Sequence, residues 1–255
     1  MSARHFLTRG LLAGLLAGIV AFGVAYLVGE PSLNAAIAVE QTSPGVGTDH
    51  SHDSAATEQS GGQVSRTLQS TLGLLTGTVV AGVTLGGLVG VLSALALGRF
   101  GSLGPRATTL GVAATCFVAG YVTPFLTYPP NPPAVGSSDS IPLRTALYFT
   151  LIVISVIAVL LAVVVGRHLQ PRIGGWYASL VAVGAYLVVS VTAAALLPSF
   201  DEVPTSFPAG ILYDFRIASF LTQLALWSVL GITLAELVHR LAQPTPHRKT
   251  QHVSS

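Results

Sequence analysis

The stretch LQSTLGLLTGTVVAGVTLGGLVGVLSALAL, residues 68–97, carries no charged side chain. Coiled as an α-helix at 1.5 Å per residue, it is long enough to cross a hydrocarbon core of about 30 Å. Gly82, Gly86, Gly90 and Ala94 within it, and Gly98 just beyond it, recur at every fourth position, so small side chains line one face of the helix. Lipid tails are as apolar as leucine, and helices in a bilayer therefore associate through close van der Waals approach, which such a strip permits. Gly10, Gly14 and Gly18 form a shorter strip in an upstream apolar run. The two runs are expected to be the tightest helix pair.

Similar runs fall at about residues 6–28, 106–126, 143–166, 174–197 and 211–238. The expected fold is all-α, a polytopic membrane bundle of six transmembrane helices occupying residues 1–240 as a single domain, with 241–255 as a disordered tail. The charged fraction of 9% against 51% hydrophobic residues leaves no room for a separate soluble domain. The first run resembles a signal peptide in having Arg4 and Arg9 ahead of it and Ala36-Ile37-Ala38 beyond. It exceeds the usual apolar core of such peptides, and the candidate cleavage site lies well past its end, so the run is expected to be retained as a span.

Charge placement predicts orientation. Of the 12 Lys and Arg residues, all but Arg66, Arg144 and Arg216 fall on one side of the six-span arrangement, together with both termini. By the positive-inside rule that side is cytoplasmic. Of the 10 acidic residues, all but Glu236 fall at or near the other side, where their negative potential would concentrate cations. The three exceptional arginines sit near the outer ends of returning spans. Pairing with the outer acids Glu30, Glu40, Asp201, Glu202 or Asp214 is the simplest reason for charges to rest there.

Residues 41–63, QTSPGVGTDHSHDSAATEQSGGQ, are too polar to bury a core and are expected to form a mobile outer loop. Within it Asp49, His50, His52 and Asp53 place two imidazoles and two carboxylates in five residues, a set suited to weak, fast capture of a borderline cation such as cobalt(II), nickel(II) or zinc(II). The outer loops at 126–142 and 198–210 are proline-rich and expected to be stiff. No Asp, Glu, His, Lys or Arg lies near the middle of any span, and Gln223 is the largest polar group inside the last span. It is the best intramembrane candidate to touch a passing ion.

Other chemistry finds little support. There is no phosphate-binding loop, the only lysine is Lys249, and no nucleophile–base pair or zinc-protease helix is present, so the chain reads as a non-enzyme. Cys116 has no partner for an internal disulfide and reads as a packing residue within its span.

The segments RGLLAGLLAGIVAFGVAYLVGEPSLNAAIAVE (9–40), VSRTLQSTLGLLTGT (64–78), GPRATTLGVAA (104–114), PFLTYPPNPPAVG (124–136), RTALYF (144–149) and LLPSFDEVPTSFPAGILYDFRIASFLTQLALWSVLG (196–231) resemble the CbtA family of proposed cobalt transporter subunits. The resemblance implies a multi-pass protein of the bacterial inner membrane that passes or transiently binds Co2+, without a permanent cofactor, for cobalamin synthesis. It also implies a small histidine-containing membrane partner of the CbtB type. A homo-oligomer is compatible with it, as is a membrane metal-binding or assembly subunit that transports nothing, or one that takes another divalent cation such as nickel. Where relatives carry a histidine-rich insert, this chain has only His50 and His52. Thr127 stands in place of a lysine and Asp201 in place of an asparagine, and both make the outer face more negative or less positive.

Overall fold

Proline and glycine decide where the helices of this chain bend. The computed structural model describes residues 3–42, 69–99, 103–133 and 135–243. The loop candidates Asp49, His50, His52 and Asp53, the arginine Arg66 and the tail beyond residue 243 lie outside the described residues. The main elements are helices: α1 (Ala3–Val24), α2 (Glu30–Thr42), α3 (Leu74–Ala96), α4 (Pro105–Phe117), α5 (Thr123–Thr127), α6 (Ile141–Leu196) and α7 (Ala209–Ala242). A π-helical turn at Ala25–Gly29 joins α1 to α2, another at Val118–Val122 joins α4 to α5, and a third at Gln69–Gly73 leads into α3.

Pro31 and Pro124 each follow one of these wide turns by two residues. A proline inside a helix lacks an N–H and its ring strikes the carbonyl four residues back. The π turn just upstream takes up that mismatch and lets the helix continue. Residues 31–42, beyond the first apolar run at 6–28, are therefore helical. Ala36 on that extension is fully buried against Val135 and Phe207, with Val39, Val203 and Ile211 packed around them. This small second core ties α2 to the two proline-rich loops.

Among the described residues five helices are long and apolar enough to cross a membrane: Ala3–Gln41, Thr71–Ala96, Pro105–Thr127, Ile141–Leu196 and Ala209–Ala242. The count differs from the six separate runs because two of them, 143–166 and 174–197, share α6. Its backbone leaves the helical region at Gly174 (φ 80°, ψ 160°), shortly after Pro171. Ser155 Oγ and Tyr186 OH lie 2.8 Å apart, whereas 31 residues of straight helix would separate them by about 46 Å. The element is thus a hairpin, with legs 141–173 and 175–196. Tyr186 OH also meets Thr123 Oγ1 at 2.6 Å and so fastens the hairpin to α5.

The φ/ψ pair at Gly174 belongs to a region essentially closed to side chains bearing a Cβ. Gly174→Ala is expected to destabilise the protein by about 1–3 kcal/mol, seen as a lower thermal midpoint in detergent. Gly175→Ala, where the added methyl meets nothing closer than Gln170 Nε2 at 3.9 Å, should leave the midpoint nearly unchanged.

The glycine strips meet as the sequence predicts. A Cβ at Gly10 or Gly14 would collide with the carbonyl oxygens of Gly86 or Gly82, and the reverse holds for Gly82 and Gly86. One at Gly18 would fall 2.7 Å from the Thr78 carbonyl oxygen, and one at Gly90 would fall 2.6 Å from that of Phe6. Gly98 takes no part. Its φ of 75° ends α3, and nothing lies near it.

Against this pair runs α7, whose Leu226, Trp227, Leu230, Leu234 and Val238 are buried with Ala13, Ala17 and Ala21 of α1, Val89 of α3 and Ala113 of α4. Cys116 packs, partly buried, on the same cluster. At one end of the bundle Glu236, the acid that breaks the charge segregation, accepts from Arg106 Nη2 at 2.6 Å and from Arg240 Nε at 2.9 Å. Two of the basic residues of that end therefore surround it. The opposite end carries Glu30, Glu40, Asp139, Asp201, Glu202 and Asp214, and is called the acidic end below.

Candidate functional site

At the acidic end the helices splay around a cavity of about 720 Å³. Its wall is assembled from α1 and α2 (Ala25, Gly29, Glu30, Ser32, Leu33), α3 (Leu74), the α4–α5 segment (Tyr121, Phe125), the first proline-rich loop (Tyr128, Pro129, Pro130, Asn131, Val135), α6 (Ile141, Arg144, Thr145, Tyr148) and α7 (Phe215, Ala218, Ser219, Thr222, Gln223). Two of the π turns line it, through Ala25 and Gly29 in one and Tyr121 in another, and Leu74 immediately follows the turn at Gln69–Gly73. Each such turn widens the helix and displaces the side chains beyond it, and π turns recur at functional sites.

Gln223 marks the deepest polar level on α7. It sits 14 residues beyond Ala209 in a helix of 34 residues, so the cavity reaches close to the helix midpoint, about 21 Å from its start. Below that level the described core is mainly apolar, with the buried hydroxyls of Ser93 and Thr109 as exceptions. Trp227 packs at a tilt against Phe117 at 5.9 Å, and Leu226, Leu230 and Leu234 fill the core among the alanines of α1. An aromatic wall of Phe117, Tyr121, Phe125 and Phe220, with ring centroids 5.4–6.4 Å apart, separates the cavity from the plug.

The hydroxyls on the wall divide into satisfied and available groups. Ser219 and Thr222 donate back to carbonyls of their own helix, Phe215 O at 2.9 Å and Ala218 O at 2.9 Å, and Ser32 does the same to Gly29 O at 2.8 Å. Tyr121 OH is buried without a partner among the described residues, and Gln223 makes no hydrogen bond among them either. These two groups face a cavity with their hydrogen-bonding capacity unspent.

The rim is held by an ion pair. Glu202 Oε2 lies 3.2 Å from Arg144 Nη1 and accepts from Ser140 Oγ at 2.9 Å and from the Ser137 amide at 3.1 Å. Arg144 thereby stays at the cavity with its charge offset. Gly136 lets the loop pass over the pair. Its φ is 107°, and a Cβ there would fall 2.6 Å from Arg144 Nη1. The Ser140 hydroxyl, then the Ser137 amide and Arg144, hold the Glu202 carboxyl below the usual carboxylate range against its partial desolvation. A group depressed in this way stabilises the fold above its unfolded pKa, and the contribution is lost as pH falls through the folded one. Glu202→Gln is therefore expected to lower the thermal midpoint at neutral pH and to flatten its decline below about pH 4, a loss checked by melting both proteins across pH 3–7.

The sequence-predicted residues distribute unevenly. Glu30, Arg144 and Gln223 line one cavity, and Glu202 reaches it through Arg144. Glu40, Asp201 and Asp214 are exposed at the same end but outside the lining. Arg216 does not pair with an acid among the described residues. Its Nη2 donates to Asn131 Oδ1 at 3.0 Å, and its Nε is buried without a partner there. An amide on a stiff loop can be placed where a flexible carboxylate would have to be desolvated, and Asn131 takes that role. Asn131 and Tyr148 are lining residues the sequence reading left out. Tyr148 follows Arg144 by four residues, and that spacing alone sets the two on one helix face.

A family model described as "Probable cobalt transporter subunit (CbtA)" matches residues 3–239, from the start of α1 almost to the end of α7. Searches of curated proteins and of solved structures give no match.

Proposed function

The chain belongs to the CbtA family, and from that premise we propose that it is the membrane subunit of a cobalt(II) uptake system in which the cavity forms the outer half of the ion's path. The observation that carries this reading is the shape of the cavity. It opens at the acidic end, gathers side chains from every part of the bundle, and stops at Gln223 above an apolar plug. That is the form of a transporter at rest with its inner gate shut.

In this reading α6 crosses twice, giving six crossings with both termini cytoplasmic, because the positive-inside rule places the arginine-rich end within. The membrane is the inner membrane of a bacterium, and the cobalt serves cobalamin synthesis. Asp49, His50, His52 and Asp53 collect the ion weakly, and the negative field of Glu30, Glu40, Asp201, Glu202 and Asp214 draws it to the cavity. A small CbtB-like partner supplies histidines for the inward step, since a bare cation in the plug would be uncompensated.

A second reading has one observation in its favour: among the described residues no charged side chain continues the path through Leu226, Trp227, Leu230 and Leu234. A subunit that binds metal and docks another protein would need no such continuation. Uptake of radioactive cobalt(II) by proteoliposomes, with and without the small partner and with nickel(II) and zinc(II) as competitors, separates the two. Cobalt flux supports transport. Binding without flux in either preparation supports the docking subunit, and flux of nickel in preference to cobalt would reassign the ion.

A further inference from the structure

We infer that the cavity receives its cation with the inner hydration shell intact, and holds it through hydrogen bonds to the bound waters instead of through direct coordination. The inference rests on the cobalt(II) uptake proposed above. Three features of the wall lead to it.

The donor set is wrong for a bare ion. Glu30 is the only carboxylate among the described lining residues, which include no imidazole or thiolate. Among the described residues no three of His, Cys, Asp and Glu come together as a metal site. Arg144 stands on the same wall, and Arg216 is bonded to the lining residue Asn131. Glu202 offsets the charge of Arg144. Stripping a dication of water is costly unless anionic or strongly basic ligands replace it, and one carboxylate cannot do so.

The space is also too large. A water occupies about 30 Å³ of liquid, so an ion with six waters fills on the order of 200 Å³. The cavity of about 720 Å³ accommodates that unit with further waters around it, whereas a bare ion could touch only one side.

The available polar atoms suit bound water. Waters on a metal ion are strengthened donors. They require acceptors at second-layer distance, and Tyr121 OH and the Gln223 side-chain carbonyl supply them from two different parts of the wall. Tyr121 OH is buried and has no protein partner among the described residues, a cost that a hydrated guest offsets.

Cobalt(III) hexaammine tests this directly, because it exchanges its ligands too slowly to coordinate a protein and presents N–H donors where the hydrate presents O–H. The full chain in proteoliposomes, with its partner, should show competitive inhibition of cobalt(II) uptake by the hexaammine. The Tyr121→Phe, Gln223→Leu double variant should weaken that inhibition about tenfold, as expected for one or two lost hydrogen bonds. Cobalt uptake that the hexaammine leaves untouched would overturn hydrated capture while leaving transport standing. Equal inhibition of the wild type and the double variant would overturn it too, since that is mere surface charge. If no preparation takes up cobalt, the transport reading fails and calorimetric titration of the detergent-purified chain with the hexaammine decides. Binding weakened in the double variant then supports the cavity, and absence of binding ends the proposal.

Discussion

Gly86→Val is expected to leave little folded protein in the membrane. At this position α1 and α3 touch backbone to backbone, and even a methyl group would lie on the Gly10 carbonyl oxygen and 2.7 Å from Gly14 Cα. Neither obstacle is a side-chain end that can swing aside, so the helices must part. Overpacking of a close-packed core typically costs about 1–3 kcal/mol, and separating a whole helix pair should reach or exceed the upper figure. The check is membrane accumulation and thermal unfolding in detergent. Gly77→Val on the neighbouring helix segment provides the control, because an added Cβ at Gly77 meets nothing within 4 Å. Equal melting of the two variants would contradict the packing described for this pair.

Trp227→Ala is expected to do two things at once. The indole is 7% exposed and packs against Phe117 on one side of the plug. Large-to-alanine changes at such sites cost about 3–5 kcal/mol, so the thermal midpoint should fall steeply. In proteoliposomes the same change should open a gap in the plug below the cavity, and cobalt entry should lose its dependence on the small partner. Tyr26→Ala, whose ring is exposed and meets Phe22, should show neither effect. Destabilisation without any change in flux would mean that Trp227 packs the core but does not seal the path.

The helical class and the glycine pairing were legible because each follows from one local rule. An uncharged run of spanning length has few alternatives, and a strip of glycines at every fourth position can be buried only against another smooth surface. The continuation of the first helix to Thr42 was hidden for a different reason. Pro31 normally argues for an end, and its accommodation depends on the π turn at Ala25–Gly29, which has no composition signature. The hairpin in α6 was legible as two runs, but its tight bend depends on the single φ at Gly174.

For the site, charge sorting pointed to the end of the bundle where the cavity opens and to Glu30 and Arg144, while side-chain polarity pointed to Gln223. It could not reveal that Arg216 turns to Asn131, since an uncharged amide leaves no mark in a charge count. Nor could it tell lining acids from exposed ones. Asp201 and Glu202 are adjacent in the chain, yet Glu202 binds Arg144 while Asp201 faces outward.

The most direct test of the outer half-path is thiol labelling from one side. Cys116→Ala removes the native thiol, and Thr222→Cys then places one on the cavity wall one residue from Gln223. A membrane-impermeant maleimide added outside intact cells should modify this cysteine, and cobalt(II) should slow the reaction in proportion to its occupancy. Labelling only from the cytoplasmic side, or at a rate that cobalt leaves unchanged, would contradict a cobalt path opening at the acidic end.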